Sequence, residues 1–195
     1  MTFGEKGVSP ADVNFTIDNV NSEAPEADFL VYAKELISMQ NADQEIRAAK
    51  KWGESVEKVD QGNVAKLKEI IKQIGWPTIS KVGQEASNAA FIIVQHADFD
   101  RNFQGEALQM MLKARSEDNE DVDGDNIARL TDRILVGESD DNNEQPEQLY
   151  GTQHDSNGNL IPIKDQANVD ARRSELGMPP LEEEEAAFQE FIKRQ

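Results

Sequence analysis

Apolar residues recur every third or fourth position along most of this chain, the spacing of one face of an α-helix. From Asp28 to about Trp52, Phe29, Leu30, Tyr32, Ala33, Leu36, Ile37 and Ile46 follow that period and predict a first amphipathic helix. A second is predicted over Asn63 to Ile74, with Leu67, Ile70, Ile71 and Ile74 on one side. Gly75 and Pro77 then end it, glycine suiting the position just past a helix and proline being unable to continue one. Gly83 to about Asp98 is the most apolar stretch: Ala86, Ala89, Ala90, Ile93 and Ala97 share one side, and Phe91, Ile92 and Val94 widen it. An apolar surface that broad predicts a central, buried helix. A fourth helix is expected from Phe103 to Ala114, carrying Ala107, Leu108, Met110, Met111 and Leu112, and a shorter one from Asn126 to Val136, with Ile127, Leu130 and Ile134 inward.

Beyond these the period changes. Leu149, Tyr150, Thr152, Leu160, Ile161 and Ile163 flank Asp155-Ser156-Asn157-Gly158-Asn159, and an Asn-Gly pair favours the positive-φ turn of a tight hairpin. A two-stranded hairpin over Gln148 to Ile163 is predicted, lying on the helices because two strands are not stable alone. Asn168 to Leu176 predicts a short helix stopped by Gly177 and Pro179, and an acidic helix closes the chain over Leu181 to Lys193. The fold class expected is therefore mainly α, a helical bundle-like domain carrying a small β-hairpin. Residues 28–195 are expected to form that one domain, with an acidic loop region over about 115–147. Residues 1–27, which mix Gly, Pro, Asn and acidic residues without period, are expected to be a flexible acidic arm.

Composition narrows the function. At 195 residues, 37% hydrophobic and 30% charged, the balance is that of a globular domain. No run of eighteen apolar residues occurs, and Met1-Thr2-Phe3-Gly4-Glu5-Lys6 lacks the basic and apolar regions of a signal peptide, so no membrane span is expected and the cytoplasm is the default location. The absence of cysteine excludes disulfides, thiolate nucleophiles and thiolate metal sites. A net charge of −18 repels phosphate backbones and anionic lipid surfaces, which argues against nucleic acid or membrane as partners. The acidity is uneven: Glu117 to Glu147 holds twelve acidic residues against Arg129 and Arg133.

Within this frame His96 stands out. It follows Ile92 by four residues, Ile93 by three and Ala89 by seven, so it is expected on a buried apolar face. A buried imidazole is either a satisfied structural group or a general acid or base, and Asp132 or Asp98 is the carboxylate expected to orient it. A metal centre is not expected. It would need His96, His154 and a carboxylate, and no His-x-x-x-His or His-x-His spacing occurs. The run Asn119 to Asp125 mimics a calcium loop, but with Gly124 at its sixth position Leu130 falls where the bidentate glutamate is required. No nucleophile elbow, phosphate loop or dinucleotide fingerprint appears, and no cofactor is indicated.

The remaining candidates are pairs and one segment. Asp43 and Arg47, four apart, and the adjacent Asp132 and Arg133 are either exposed charges or parts of a site. Arg172 and Arg173 are adjacent arginines that either fork onto an anion or neutralise the acidic tail. Gln148, Tyr150, Thr152 and Gln153 surround Gly151, a residue that permits close backbone approach, and either orient a polar ligand or form a plain edge strand.

Taken in order, Asp43-Gln44-x-x-Arg47, Asn63-x-x-x-Leu67, Gly75-Trp76-Pro77, Val82-Gly83, Gln95-His96-Ala97-Asp98, Leu130-Thr131-Asp132-Arg133, Gln148-x-Tyr150-Gly151-Thr152-Gln153, Pro162-Ile163, Asp170-x-Arg172-Arg173 and Gly177-Met178-Pro179-Pro180-Leu181 resemble an uncharacterised bacterial family, a domain of unknown function. The resemblance spans residues from about 30 to 185, and an acidic insert around Ser139 to Glu144 departs from it. It implies a shared pattern rather than a reaction. It also implies that His96, Asp132, Arg133, Gln148, Tyr150, Thr152, Gln153 and Arg172 gather from separate elements into a pocket. The leading expectation is a small-molecule hydrolase or transferase in which His96 is the general acid or base. Arg133 or Arg172 would bind an anionic group, with Gln148, Tyr150 and Gln153 holding a small polar substrate. The competing expectation is a non-catalytic binding or interaction module whose polar groups form a structural network.

Overall fold

The computed structural model describes residues 29–49, 53–118, 121–142 and 145–194, and the arm expected over residues 1–27 lies outside them. The first helix, α1 (Phe29–Ala48), buries Ala33, Leu36, Met39 and Asp43, steps of three and four that draw one stripe along it. Helix α2 (Glu54–Ile74) starts nine residues before the predicted Asn63, directly after Gly53, and buries Val56, Asn63, Val64, Leu67, Ile70, Ile71 and Ile74. Its first turns are polar apart from two valines and contain Gly62, so they carry little intrinsic helical signal and depend on packing. Gly75, at φ 68°, ends α2 and donates its N–H to the Ile71 carbonyl. A single turn, α3 (Ile79–Val82), follows.

Helix α4 (Gln84–Gln95) is buried on nearly every side, through Ala86, Ser87, Ala89, Ala90, Phe91, Ile93 and Val94. Its alanines let neighbours approach closely, and α1, α2, α3, α5 (Arg101–Glu117) and α6 (Gly124–Asn142) all pack on it. Asp100 caps α5 by accepting from the Phe103 amide at 3.1 Å. α6 is longer than the predicted Asn126 to Val136 at both ends, so together α5 and α6 carry much of the acidic stretch in helix rather than in loop. One core runs through α1 to α6, and a second, smaller one gathers Ala128, Leu149, Tyr150 and Met178. Among the described residues no helix is long and apolar enough to cross a membrane.

The fold is mainly helical, but the predicted hairpin is not formed: among the described residues Gln148 to Ile163 contain two isolated backbone pairings, Gln148 with Ile163 and His154 with Leu160, and no strand. The turn itself forms where Asn157-Gly158 predicted it, with Gly158 at φ 79° and the Asp155 carboxylate accepting from the Asn157 and Asn159 amides at 2.8 Å each. A ladder fails for a physical reason. The amides of Leu149, Tyr150 and Thr152 are taken by a side chain on α6, Gly151 turns the chain at φ 75°, and Pro162 has no N–H to offer. The chain then passes through a 3-10 turn (Gln166–Asn168) into α7 (Val169–Glu175), and α8 (Leu181–Lys193) packs against α7. His154 stacks on Phe188 of α8 with ring centroids 3.7 Å apart.

Candidate acid–base site

α4 ends at Gln95, so His96 leaves the apolar face on which its spacing placed it. Its imidazole is half-buried rather than buried, with 23% of the side chain exposed. Nδ1 lies 3.1 Å from Asp43 Oδ1, within hydrogen-bond distance. Asp43 lies on α1, and its carboxylate is 2% exposed. Arg47, one turn further along α1, donates from Nε to the same oxygen at 2.9 Å and from Nη2 to Asp60 Oδ1 on α2 at 2.7 Å. Gln44 Nε2 donates to the other Asp43 oxygen at 2.9 Å. Residues of α1, of α2 and from the end of α4 thus join in one cluster through Asp43 and Arg47, and α1·α4 packing brings together groups 53 residues apart.

The two carboxyls are driven in opposite directions. Burial pushes Asp43 up, but the hydrogen bonds and charges of His96 and Arg47 outweigh it and hold the group below its usual range. Burial pushes Asp60 up and the Asp43 charge adds to it, so Asp60 stands above its usual range in spite of Arg47. An ionised Asp43 can only accept, which fixes the proton of neutral His96 on Nδ1 and leaves the Nε2 lone pair free. Among the described residues nothing bonds Nε2. Asp43, Asp60 and His96 also offer donor atoms within 4.8 Å of one another, the one such group among the described residues.

The other predicted residues do not join this cluster. Asp132, the expected partner of His96, is fully buried and accepts from the Leu149 amide at 2.7 Å, the Tyr150 amide at 3.0 Å and the Thr152 amide at 3.0 Å, and from Thr152 Oγ1 at 2.9 Å. Burial raises its carboxyl above the ordinary range, and these four donors work against that rise. Asp98, the alternative partner, pairs with Arg133 on α6, which donates to both of its oxygens. Burial pushes Asp98 up, and Arg133 with Gln104 more than reverses it.

Gln148 is likewise occupied by backbone. Its Nε2 donates to the carbonyls of Gln153 at 2.9 Å and Ile161 at 2.8 Å, and its Oε1 accepts from the Gln153 amide at 2.8 Å. Gln153 Nε2 turns back on Thr152, at 3.3 Å from its carbonyl oxygen and 3.2 Å from its hydroxyl. Arg172 donates to the Leu149 carbonyl at 2.9 Å, and Arg173 to those of Tyr150 at 2.7 Å and Pro179 at 2.7 Å. Tyr150 is buried, and burial together with the Asp132 charge pushes its hydroxyl up to about 12, so it stays a protonated donor. His154 is engaged with Glu185 Oε1 at 2.6 Å, away from the groups that hold His96.

Asp43 and Arg47 therefore stand with His96, while the Gln148 to Gln153 segment belongs to a separate anchoring network. Asp60 is not predicted from the sequence, because its stretch carries no clear period. Extending α2 back to Glu54 supplies the missing signal, since Val56, Asp60, Asn63 and Leu67 then follow steps of four, three and four on the inward side.

No curated protein and no solved structure matches the chain. A family model does match, over residues 31–191, and by it the chain belongs to the family of unknown function DUF6624.

Proposed function

We propose that this chain is an enzyme, a hydrolase or transferase acting on a small polar molecule, with His96 as its general acid and base. The observation that carries the reading is the 3.1 Å contact from His96 Nδ1 to a buried Asp43 oxygen, on a ring that keeps 23% of its surface open. Asp43 fixes the tautomer and stabilises the imidazolium that forms when Nε2 takes a proton from water or a substrate hydroxyl. The same proton is then returned to the leaving group. Arg47 positions Asp43 through its Nε contact at 2.9 Å. Two carboxyls set against one guanidinium favour a neutral or cationic substrate over an anion, since Arg133, Arg172 and Arg173 are engaged elsewhere in the chain.

The test is turnover of a panel of chromogenic ester, amide, phosphoester and glycoside substrates by the full chain and by His96→Gln. Turnover of at least one class by the native chain is expected, falling at least about a hundredfold in the variant with the melting temperature unchanged. Equal turnover by both proteins, or none by either, overturns the reading.

A second reading, a non-catalytic binding or interaction module, is favoured by the Asp132 network, in which every polar group serves packing. A His96→Gln chain that merely loses stability supports it.

A further inference from the structure

We infer that Asp43, Asp60 and His96 form a binding site for a divalent transition-metal ion of the zinc class, entered by displacing the Arg47 guanidinium. The donor atoms come from α1, from α2 and from the end of α4, and all lie within 4.8 Å of one another. A tetrahedral ion with bonds of about 2.0–2.1 Å holds its donors about 3.3 Å apart, so rotation of the two carboxylates closes the set. Three protein donors also leave a fourth position open, the pattern of a working rather than a structural site.

A second observation marks the space between the carboxylates as a place for positive charge. Arg47 already sits there, 2.9 Å from Asp43 and 2.7 Å from Asp60, and it is the cation the ion must replace. The Arg47 side chain is 24% exposed and so has a route to solvent. With Arg47 in place, two carboxylates face one charge; with a divalent ion in its stead the charges balance. The imidazole decides the class of ion. A nitrogen donor beside two carboxylates suits zinc, cobalt, nickel or manganese, whereas calcium takes six to eight oxygens.

The inference goes beyond the acid–base reading and bears on it as regulation. An ion that takes a nitrogen of His96 removes the group that would move the proton, so metal and proton transfer compete for one ring. Binding is measured without substrate, so its failure leaves the acid–base reading untouched, and a chain inert on every substrate leaves the metal inference standing.

The experiment is calorimetric titration of the chelator-treated full chain with zinc chloride and cobalt chloride, with calcium chloride as the control for the acidic surface. One strong site for zinc is expected, weakened at least tenfold in Asp60→Asn and in His96→Gln and strengthened at least tenfold in Arg47→Met, which removes the competing cation. Unchanged affinity in Asp60→Asn and His96→Gln, weaker binding in Arg47→Met, or an equal site for calcium overturns the inference. If a variant fails to fold, the native chain decides, because His154 is an internal reference. Cobalt is expected to broaden and shift the His96 ring resonances at one equivalent while those of His154 stay in place, and equal effects on both rings, or none, overturn it.

Discussion

Arg173, wholly buried on α7, donates from Nη1 to the Tyr150 carbonyl at 2.7 Å. Its Nε serves the Pro179 carbonyl at 2.7 Å, and its Nη2 pairs with Glu184 on α8. One side chain thus joins the 149–152 segment, the Pro179 loop and α8. Arg173→Met would leave two carbonyls without a donor, and Arg129, 2.7 Å from Glu184, would remain as that carboxylate's partner. The expected cost is about 3 kcal/mol, the low end for breaking a buried pair, because Glu184 keeps a cation. Arg173→Lys is expected to recover little, since an ammonium cannot reproduce the three-way fork. Urea denaturation of the three proteins measures this, and a Lys variant as stable as the native chain would show that charge alone matters here.

Where Arg172 and Arg173 hold the carbonyls of this segment, Asp132 holds its amides. Asp132→Asn replaces one accepting oxygen with an NH2 that faces amide or hydroxyl donors, so at least one buried donor loses its acceptor. A loss of about 2 kcal/mol is expected. Hydrogen exchange gives the sharper readout: protection of the Leu149, Tyr150 and Thr152 amides should fall in the variant while the α4 amides keep theirs, and unchanged exchange would refute the anchoring role.

These two anchors also explain what the sequence could and could not reveal. α4 was legible because Ala86, Ala89, Ala90 and Ile93 repeat at helical spacing in a stretch with few competing polar residues. The turn at Asn157-Gly158 was legible because its chemistry is local. The segments flanking it do not form the expected strands because the fate of the Leu149 and Tyr150 amides is decided by Asp132, 17 and 18 residues away on another element, and alternation of side chains carries no trace of that. Gly151 did signal close approach: a Cβ there would lie 2.6 Å from Leu181 Cδ1 and 2.9 Å from Ile163 Cδ1. For the site, an Asp and an Arg four apart have the spacing of an exposed helix pair, and only the packing of α1 on α4 turns Asp43 inward to His96.

Asp100 carries a pH dependence whose sign follows from its contacts. Burial pushes its carboxyl up, but Lys68 Nζ at 2.6 Å and the Phe103 amide at 3.1 Å outweigh this and hold it below its usual range. A group depressed in the folded state stabilises the fold at every pH above its unfolded value, about 3.9, and loses that contribution as pH falls through the folded one. Asn retains the cap but not the ion pair. Asp100→Asn should therefore be less stable than the native chain at pH 7, by up to about 1 kcal/mol for a pair this exposed. The gap should close as the pH is lowered below about 4. Thermal melts across that window measure it, and a gap that widens in acid would mean that the ion pair is not its source.

Asp43 offers the most specific test of how His96 works. If Asp43 serves only to fill space, Asp43→Asn is nearly isosteric and should leave turnover close to native. If its charge matters, the amide changes the chemistry: the oxygen facing Nδ1 also accepts from Arg47 Nε, so an amide oxygen keeps that place and the tautomer, but a neutral amide no longer balances the imidazolium that forms on the ring. kcat is then expected to fall by two to four orders of magnitude, about 3–5 kcal/mol in the barrier, with KM little changed. Nitrogen-15 shifts of the His96 ring report the tautomer directly. The predicted pattern is a protonated Nδ1 in the neutral ring of both proteins, which separates loss of charge from loss of orientation. Arg47→Lys supplies the contrast, because it keeps a cation beside Asp43 while giving up the fork that also holds Asp60. That variant should keep the native tautomer and lose less turnover than Asp43→Asn, and the reverse order would move the orienting role from Asp43 to Arg47.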